Sequence, residues 1–264
     1  MENKRRLKLT IEYDGTDFYG WQIQTKTKER TVQGELQAAI AKLPGECSSL
    51  KGAGRTDAGV HAIAMTAHLD TNTKLTNNKF LQALNAHLDN DVVVTEVKKV
   101  SNDFEAQYSA KYRHYIYRMR LARHDKRSLA LQRNRVLAIY KDLNIEQMQM
   151  AARYFEGKHD FSSFATQETR QCIRTVYFCK ISKHRNELRL SIAADGFVRG
   201  MVRAIVGTVI SVGEGNILPS EISTIIAAKD RSKAGKNVKA HGLYFLKAGY
   251  NDFTSTPDNS YELS

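Results

Sequence analysis

Cysteine is scarce, with three residues at Cys47, Cys172 and Cys179 in a chain of 264, and none stands in a CxxC pair. That spacing excludes a zinc ribbon and a disulfide framework, and it leaves the thiols as scattered reduced side chains. The eight histidines form no HExxH pattern, so no metal site is expected. With three prolines there is no Pro-rich linker, and no run of about 18 apolar residues offers a membrane-spanning helix. The first residues, MENKRRLKLTIEYDG, lack the apolar centre of a secretory signal, and a cytoplasmic location is the expectation. GxxxxGK[ST] and GxSxG are missing as well, which removes the P-loop and the hydrolase elbow.

Positive charge is abundant. Forty Lys and Arg against 28 Asp and Glu give a net charge of +12. A surplus of this size favours a polyanionic partner, because cations that neutralise phosphates release condensed counterions. The 42% hydrophobic content suffices for one large core or two medium ones.

Along the chain, RLKLTIEYDG alternates apolar and polar residues into a turn and predicts a strand. TVQGELQAAIAKLPGE predicts a helix with Thr31 as N-cap and Pro44-Gly45 as its stop. VHAIAMTAHLD, TNNKFLQALNAHL and DVVVTEVKKV continue as strand, helix and strand. The order then restarts. KYRHYIYRMRLA has strand character, and NIEQMQMAARYFEG is a helix stopped at Gly157. IRTVYFCKISKH and ELRLSIAADGF read as strands paired around HRN. VRGMVRAIVGTVISVG and PSEISTIIAAK read as helices. The fold class is therefore mixed α/β (α+β), in two halves of similar order: residues 1–108, residues 109–250 and a polar tail at 251–264.

The stretch KGAGRTDAGVHA, Lys51 to Ala62, carries three glycines around one acid. It does not complete GxGxxG, since Asp57 takes the last glycine position, and a carboxylate there would repel a pyrophosphate. A tight turn in which Gly52, Gly54 and Gly59 supply positive φ is one reading. The other is a rigid mount for Asp57 at a cleft, with Arg55 two residues earlier on the same face of an extended chain and Thr56 orienting the loop.

Three further stretches bear on partners. KYRHYIYRMR interleaves Tyr112, Tyr115 and Tyr117 with Arg113 and Arg118, as a half-buried strand with a basic edge or as a platform for bases. FVRGMVRAIVG places Arg199 and Arg203 four apart beside a stripe of Val198, Val202, Ile205 and Val209. Those arginines could snorkel, or pair with a carboxylate in a cleft. HDFSSF reads as a packed turn without a nucleophile pair at His159, and Trp21 in FYGWQIQ as core.

IEYDG, YGWQ, GAGRTDAGVHA, DFSSF, MVRAIVG, AAKDR and GLYFL, in that order from about Leu9 to Tyr250, resemble the tRNA pseudouridine synthases of the TruA type. The resemblance implies a pseudouridine-synthase fold, with two α/β halves sharing a mostly antiparallel central sheet and a cleft between them. It implies a homodimer acting on tRNA without cofactor or metal. The expected reaction breaks the N1–C1′ bond of a uridine, turns the uracil and rejoins it through C5, at positions 38, 39 and 40 of the anticodon stem-loop. By the same resemblance Asp57 is the essential acid and Arg203 its partner. Arg55 contacts RNA and extrudes the nucleotide, and Leu243 packs at the target base. Tyr112, the first tyrosine of YRHYIY, stacks on the uracil. The segment from Tyr108 to Tyr112 is about two residues shorter than the family pattern, which leaves Tyr115 as the alternative. A noncatalytic RNA-binding or chaperone module on the same fold is the rival reading, and loss of Asp57 or Arg203 would mark it. Both residues are present.

Overall fold

The computed structural model describes residues 4–24, 28–166 and 171–254, so residues 255–264 of the expected polar tail lie outside it. The first half is built from β1 (Arg5–Tyr13), α1 (Val32–Ile40), β2 (Lys51–Gly52), β3 (His61–Thr71), α2 (Asn77–Asn85) and β4 (Val92–Val100). Leu7, Leu9, Ile11 and Tyr13 are buried at every second position, as the alternation of β1 requires. Thr31 has extended backbone and its hydroxyl accepts from Gly34 N–H, which caps α1 as expected. The helix ends at Ile40, four residues before Pro44.

The second half comprises β5 (Tyr112–Leu121), α3 (Leu129–Gln132), β6 (Leu137–Ile139), α4 (Ile145–Arg153), β7 (Gly157–Asp160), β8 (Ile173–His184), β9 (Glu187–Ala194), α5 (Met201–Gly213), α6 (Glu221–Ala228) and β10 (Leu243–Gly249). Gly157, with φ of 101°, opens β7 and does not close α4. Four short strands and α3 escape the sequence pattern, because segments of two to seven residues carry too little periodicity to register.

One sheet runs through both halves in the order β4-β1-β3-β10-β5-β9-β8-β7, with β2 on β3 and β6 on β5. All pairings are antiparallel except β10 with β3 and β6 with β5. The β3–β10 seam sets His61 against Tyr244 and Ala62 against Phe245. It therefore brings the loop entering β3, which carries Asp57, beside the segment entering β10.

The sequence pattern misplaces the start of α5. That helix begins at Met201, after Gly200 in left-handed conformation, so Val198 and Arg199 precede it and Arg199 shares no helix face with Arg203. Gly200 could be read as an interior helix residue, but its φ of 76° breaks the helical geometry there. The glycine loop is also corrected. Of its three glycines only Gly59 has a positive φ, at 77°. Gly52 is required for space, since a Cβ there would lie 2.7 Å from the Trp21 ring, whereas Gly54 meets nothing nearer than Phe245 at 3.9 Å.

Candidate active site

Asp57 is held by a floor of backbone contacts. The 14–21 segment runs directly against the 56–60 segment: Trp21 N–H donates to Thr56 O at 3.1 Å and Gly59 N–H to Phe18 O at 3.3 Å. Side chains are excluded from this contact. A Cβ on Gly15 would stand 2.0 Å from Val60 O, and one on Gly20 2.5 Å from Thr56 O. Val60 N–H donates to Asp57 O at 3.2 Å and closes the turn. DG, YGWQ and GRTDAGVH, far apart in sequence, are thus one packed unit. The buried Thr56 hydroxyl pairs with the Tyr13 hydroxyl at 2.8 Å and fixes the residue before the acid.

His61 anchors the other end of the turn. Its Nδ1 accepts from Gly15 N–H at 3.0 Å, and Nε2 lies 2.9 Å from Asn134 O and 3.1 Å from His241 O. Burial holds its pKa below the ordinary value, against the pull of the Asp14 carboxylate, whose Oδ1 stands 3.1 Å from Nδ1.

The Asp57 carboxylate remains 34% exposed, open enough to meet a substrate. Arg203, from the first turn of α5, reaches it with Nη1 at 3.3 Å from Oδ2. The same guanidinium is locked behind, its Nε donating to Val238 O at 2.7 Å. Arg199 approaches from the preceding loop, with Nε 3.9 Å from Oδ1. The acid therefore faces two cations, one rigid and partly buried, one exposed at 61%.

The aromatic wall is made by Tyr115. Its ring stands edge-on to Phe197 at 5.1 Å and to Phe245 at 5.2 Å. Burial raises the pKa of its hydroxyl, and the Asp57 charge adds to the rise, so the phenol stays protonated. Arg113, Tyr115 and Tyr117 share one face of β5 by strand alternation. On that face Arg113 donates to Ala53 O and Asp195 O, tying the glycine loop to the end of β9. Tyr117 donates to Lys239 O at 2.7 Å.

Of the sequence-predicted residues, Asp57 and Arg203 are brought together. Leu243 is buried at the start of β10, in register with Tyr117 and on the strand face of Phe245, so it lines the same region. Arg55 is exposed and bonds to no described residue. Tyr112 is not brought to Asp57. It lies on the other face of β5, its ring covering Gly249 and edge-on to Phe253 at 5.2 Å. Tyr115, three residues on, lies on the face of β5 that Arg113 ties to the glycine loop, because period-two alternation puts an odd offset on the opposite face. Among the described residues no three His, Cys, Asp or Glu side chains are grouped to hold a metal ion, and no helix is long and apolar enough to cross a membrane.

An acid paired to arginine, roofed by aromatic side chains and floored by backbone, suits chemistry on a nucleotide whose base leaves its stack. Comparison with known proteins agrees. The sequence profile described as tRNA pseudouridine synthase matches residues 9–109 and 151–251, and the chain belongs to that family. A protein of Ruminiclostridium cellulolyticum named tRNA pseudouridine synthase A is 42% identical over 249 residues, covering 93% of this chain and 100% of that protein. Its namesake in Thermoanaerobacter sp. strain X514 is 43% identical over 248 residues, with coverage of 93% and 100%. The family's enzymes are isomerases.

Proposed function

We propose that the chain converts uridine to pseudouridine at positions 38, 39 and 40 of the tRNA anticodon stem-loop, with Asp57 as the essential acid. The observation that carries this reading is the Asp57–Arg203 pair at 3.3 Å, set on a tightly bonded turn with the carboxylate about one-third exposed. The isomerisation is redox-neutral. It needs a carboxylate near the sugar, a slot that keeps the freed uracil from diffusing away, and a surface along which the base can turn. Asp57 supplies the first. Tyr115 and Leu243 supply the slot, with Arg203 aiming the acid and Arg55 reaching toward the RNA from the exposed rim. Extruding a base costs a few kcal/mol, which phosphate and stacking contacts offset. The +12 charge supports the polyanionic partner. Cytoplasmic location, a homodimer and the division into halves at 108/109 belong to this same reading.

Incubating the protein with unmodified tRNA and mapping pseudouridine at single-nucleotide resolution tests it. Modification confined to positions 38–40 is expected. RNA binding without any modification would favour the noncatalytic module instead.

The two tyrosines are separable. Stacking of a base on an aromatic ring is worth about 1–3 kcal/mol, so Tyr115→Ala should lower the single-turnover rate on tRNA by about ten- to a hundredfold. Tyr112→Ala should stay within about threefold of the unsubstituted enzyme, since its ring packs on Gly249 away from the acid. A reversed order of the two rates would return the stacking role to Tyr112.

A further inference from the structure

Residues 229–241, KDRSKAGKNVKAH, carry five Lys and Arg against one acid, and they form the segment entering β10. The segment crosses α5 at a glycine. A Cβ on Gly207 would lie 1.9 Å from Lys236 O, so only glycine admits the crossing. Gly235 N–H donates to the Thr208 hydroxyl at 2.8 Å, and Val238 N–H to Arg203 O at 3.3 Å. Val238 O and Lys239 O accept from Arg203 and Tyr117. At its end, a Cβ on Gly59 would stand 3.5 Å from Ala240 Cβ, so the segment touches the Asp57 turn. Its backbone is therefore registered to Arg203, which pairs with Asp57, and to Tyr117, on the same face of β5 as Tyr115.

Not all its cations are spent on the fold. Lys229 pairs with Asp160 at 3.1 Å, and Arg231 donates to Asn237 and Ala234 O. Lys233, Lys236 and Lys239 are exposed, three residues apart, and their ammonium groups hold no ion pair with a described residue. The one acid of the segment, Asp230, lies within reach of the Lys233 field but accepts from Ser232 N–H. Exposed lysines on a long free loop would lose rotamer and backbone freedom together on binding. Here the backbone freedom is already gone, so a polyanion meets a preset row of charges.

We propose that Lys233, Lys236 and Lys239 form a phosphate-binding row for the RNA strand that carries the target nucleotide, fixed in register with Asp57 through Arg203 and Val238. The inference rests on the proposed action on tRNA. It assigns to this segment the positioning of the strand and none of the chemistry. Phosphates flank every nucleotide at fixed intervals, so a row keyed to the acid places the sugar of one nucleotide at the carboxylate.

Equilibrium binding of unmodified tRNA to the intact protein, measured across potassium chloride concentrations, tests the row. The Lys233→Gln/Lys236→Gln/Lys239→Gln variant should lower the slope of log affinity against log salt by about 2, at roughly 0.7 per lost single-strand phosphate contact. Its Kd should rise about tenfold at physiological salt. A control variant, Lys42→Gln/Lys79→Gln/Lys99→Gln, removes the same charge from exposed positions in the first half and should stay within about twofold. A wild-type slope in the first variant, or an equal loss in the control, overturns the row. The functional reading fails separately: wild-type protein that makes no pseudouridine in tRNA refutes that reading, whereas an active wild type with an unchanged slope in the lysine variant refutes the row alone.

Discussion

Replacing Asp57 by Asn is expected to abolish pseudouridine formation, by more than about 10⁴-fold, while tRNA binding stays within a few-fold of wild type. The substitution keeps the shape of the side chain and removes its charge. The turn beneath it is built from backbone bonds, Val60 N–H to Asp57 O and Gly59 N–H to Phe18 O, none of which uses the carboxylate. Fold and stability should therefore be retained, with the melting temperature shifted by no more than a few degrees. Affinity should also survive, because phosphate contacts come from cations elsewhere on the surface and do not pass through this acid. Rejoining the uracil through C5 displaces the hydrogen on that carbon, so release of label from tRNA carrying 5-tritiated uridine counts turnover directly. Undiminished release by the Asn variant would remove Asp57 from the chemistry. Loss of binding in parallel with loss of release would instead make it a contact for RNA.

The acid was legible because its neighbours are chemically restrictive. Only glycine fits at residues 15, 20 and 52, so IEYDG, YGWQ and the glycine loop carry the imprint of a packed unit even though they lie up to some forty positions apart. The long strands and helices were legible for the usual reason, a regular burial period over nine or more residues. What was lost depended on single residues. Strand alternation decides between Tyr112 and Tyr115, and a two-residue uncertainty in register upstream was enough to leave that choice open. The helical placement of Arg199 fails for another reason, because a left-handed Gly200 is indistinguishable, in sequence, from a glycine inside a helix. The contribution of residues 229–241 was invisible for a different reason. Its polar backbone atoms serve Arg203, Tyr117 and Thr208, and main-chain carbonyls leave no trace in residue identity.

Arg203→Met is the second large effect expected, a fall of about 10²–10³-fold in the single-turnover rate with tRNA affinity nearly unchanged. Arg203 makes two bonds at once, Nη1 to Asp57 and Nε to Val238 O, and its planar fork serves both without moving. Methionine keeps an unbranched side chain of three methylene-sized links but removes both bonds. Asp57 then loses the hydrogen bond from Arg203, Arg199 remaining at 3.9 Å on an exposed side chain, and the carboxylate is free to rotate away from the sugar. Val238 O loses its donor as well, and the segment entering β10 loosens beside the turn. A role confined to stability would lower the melting temperature and leave the rate of the folded fraction intact, so the rate is read per folded molecule, after titration of competent sites. Arg203→Lys discriminates further. Arg203 reaches the carbonyl and the carboxylate through two different nitrogens of a rigid fork, which a single ammonium lacks, so lysine should recover only a minor part of the rate. Full recovery by lysine would mean that charge alone suffices and that the lock on Val238 is incidental. Equal loss of rate and of tRNA affinity in both variants would move Arg203 from aiming the acid to holding the RNA.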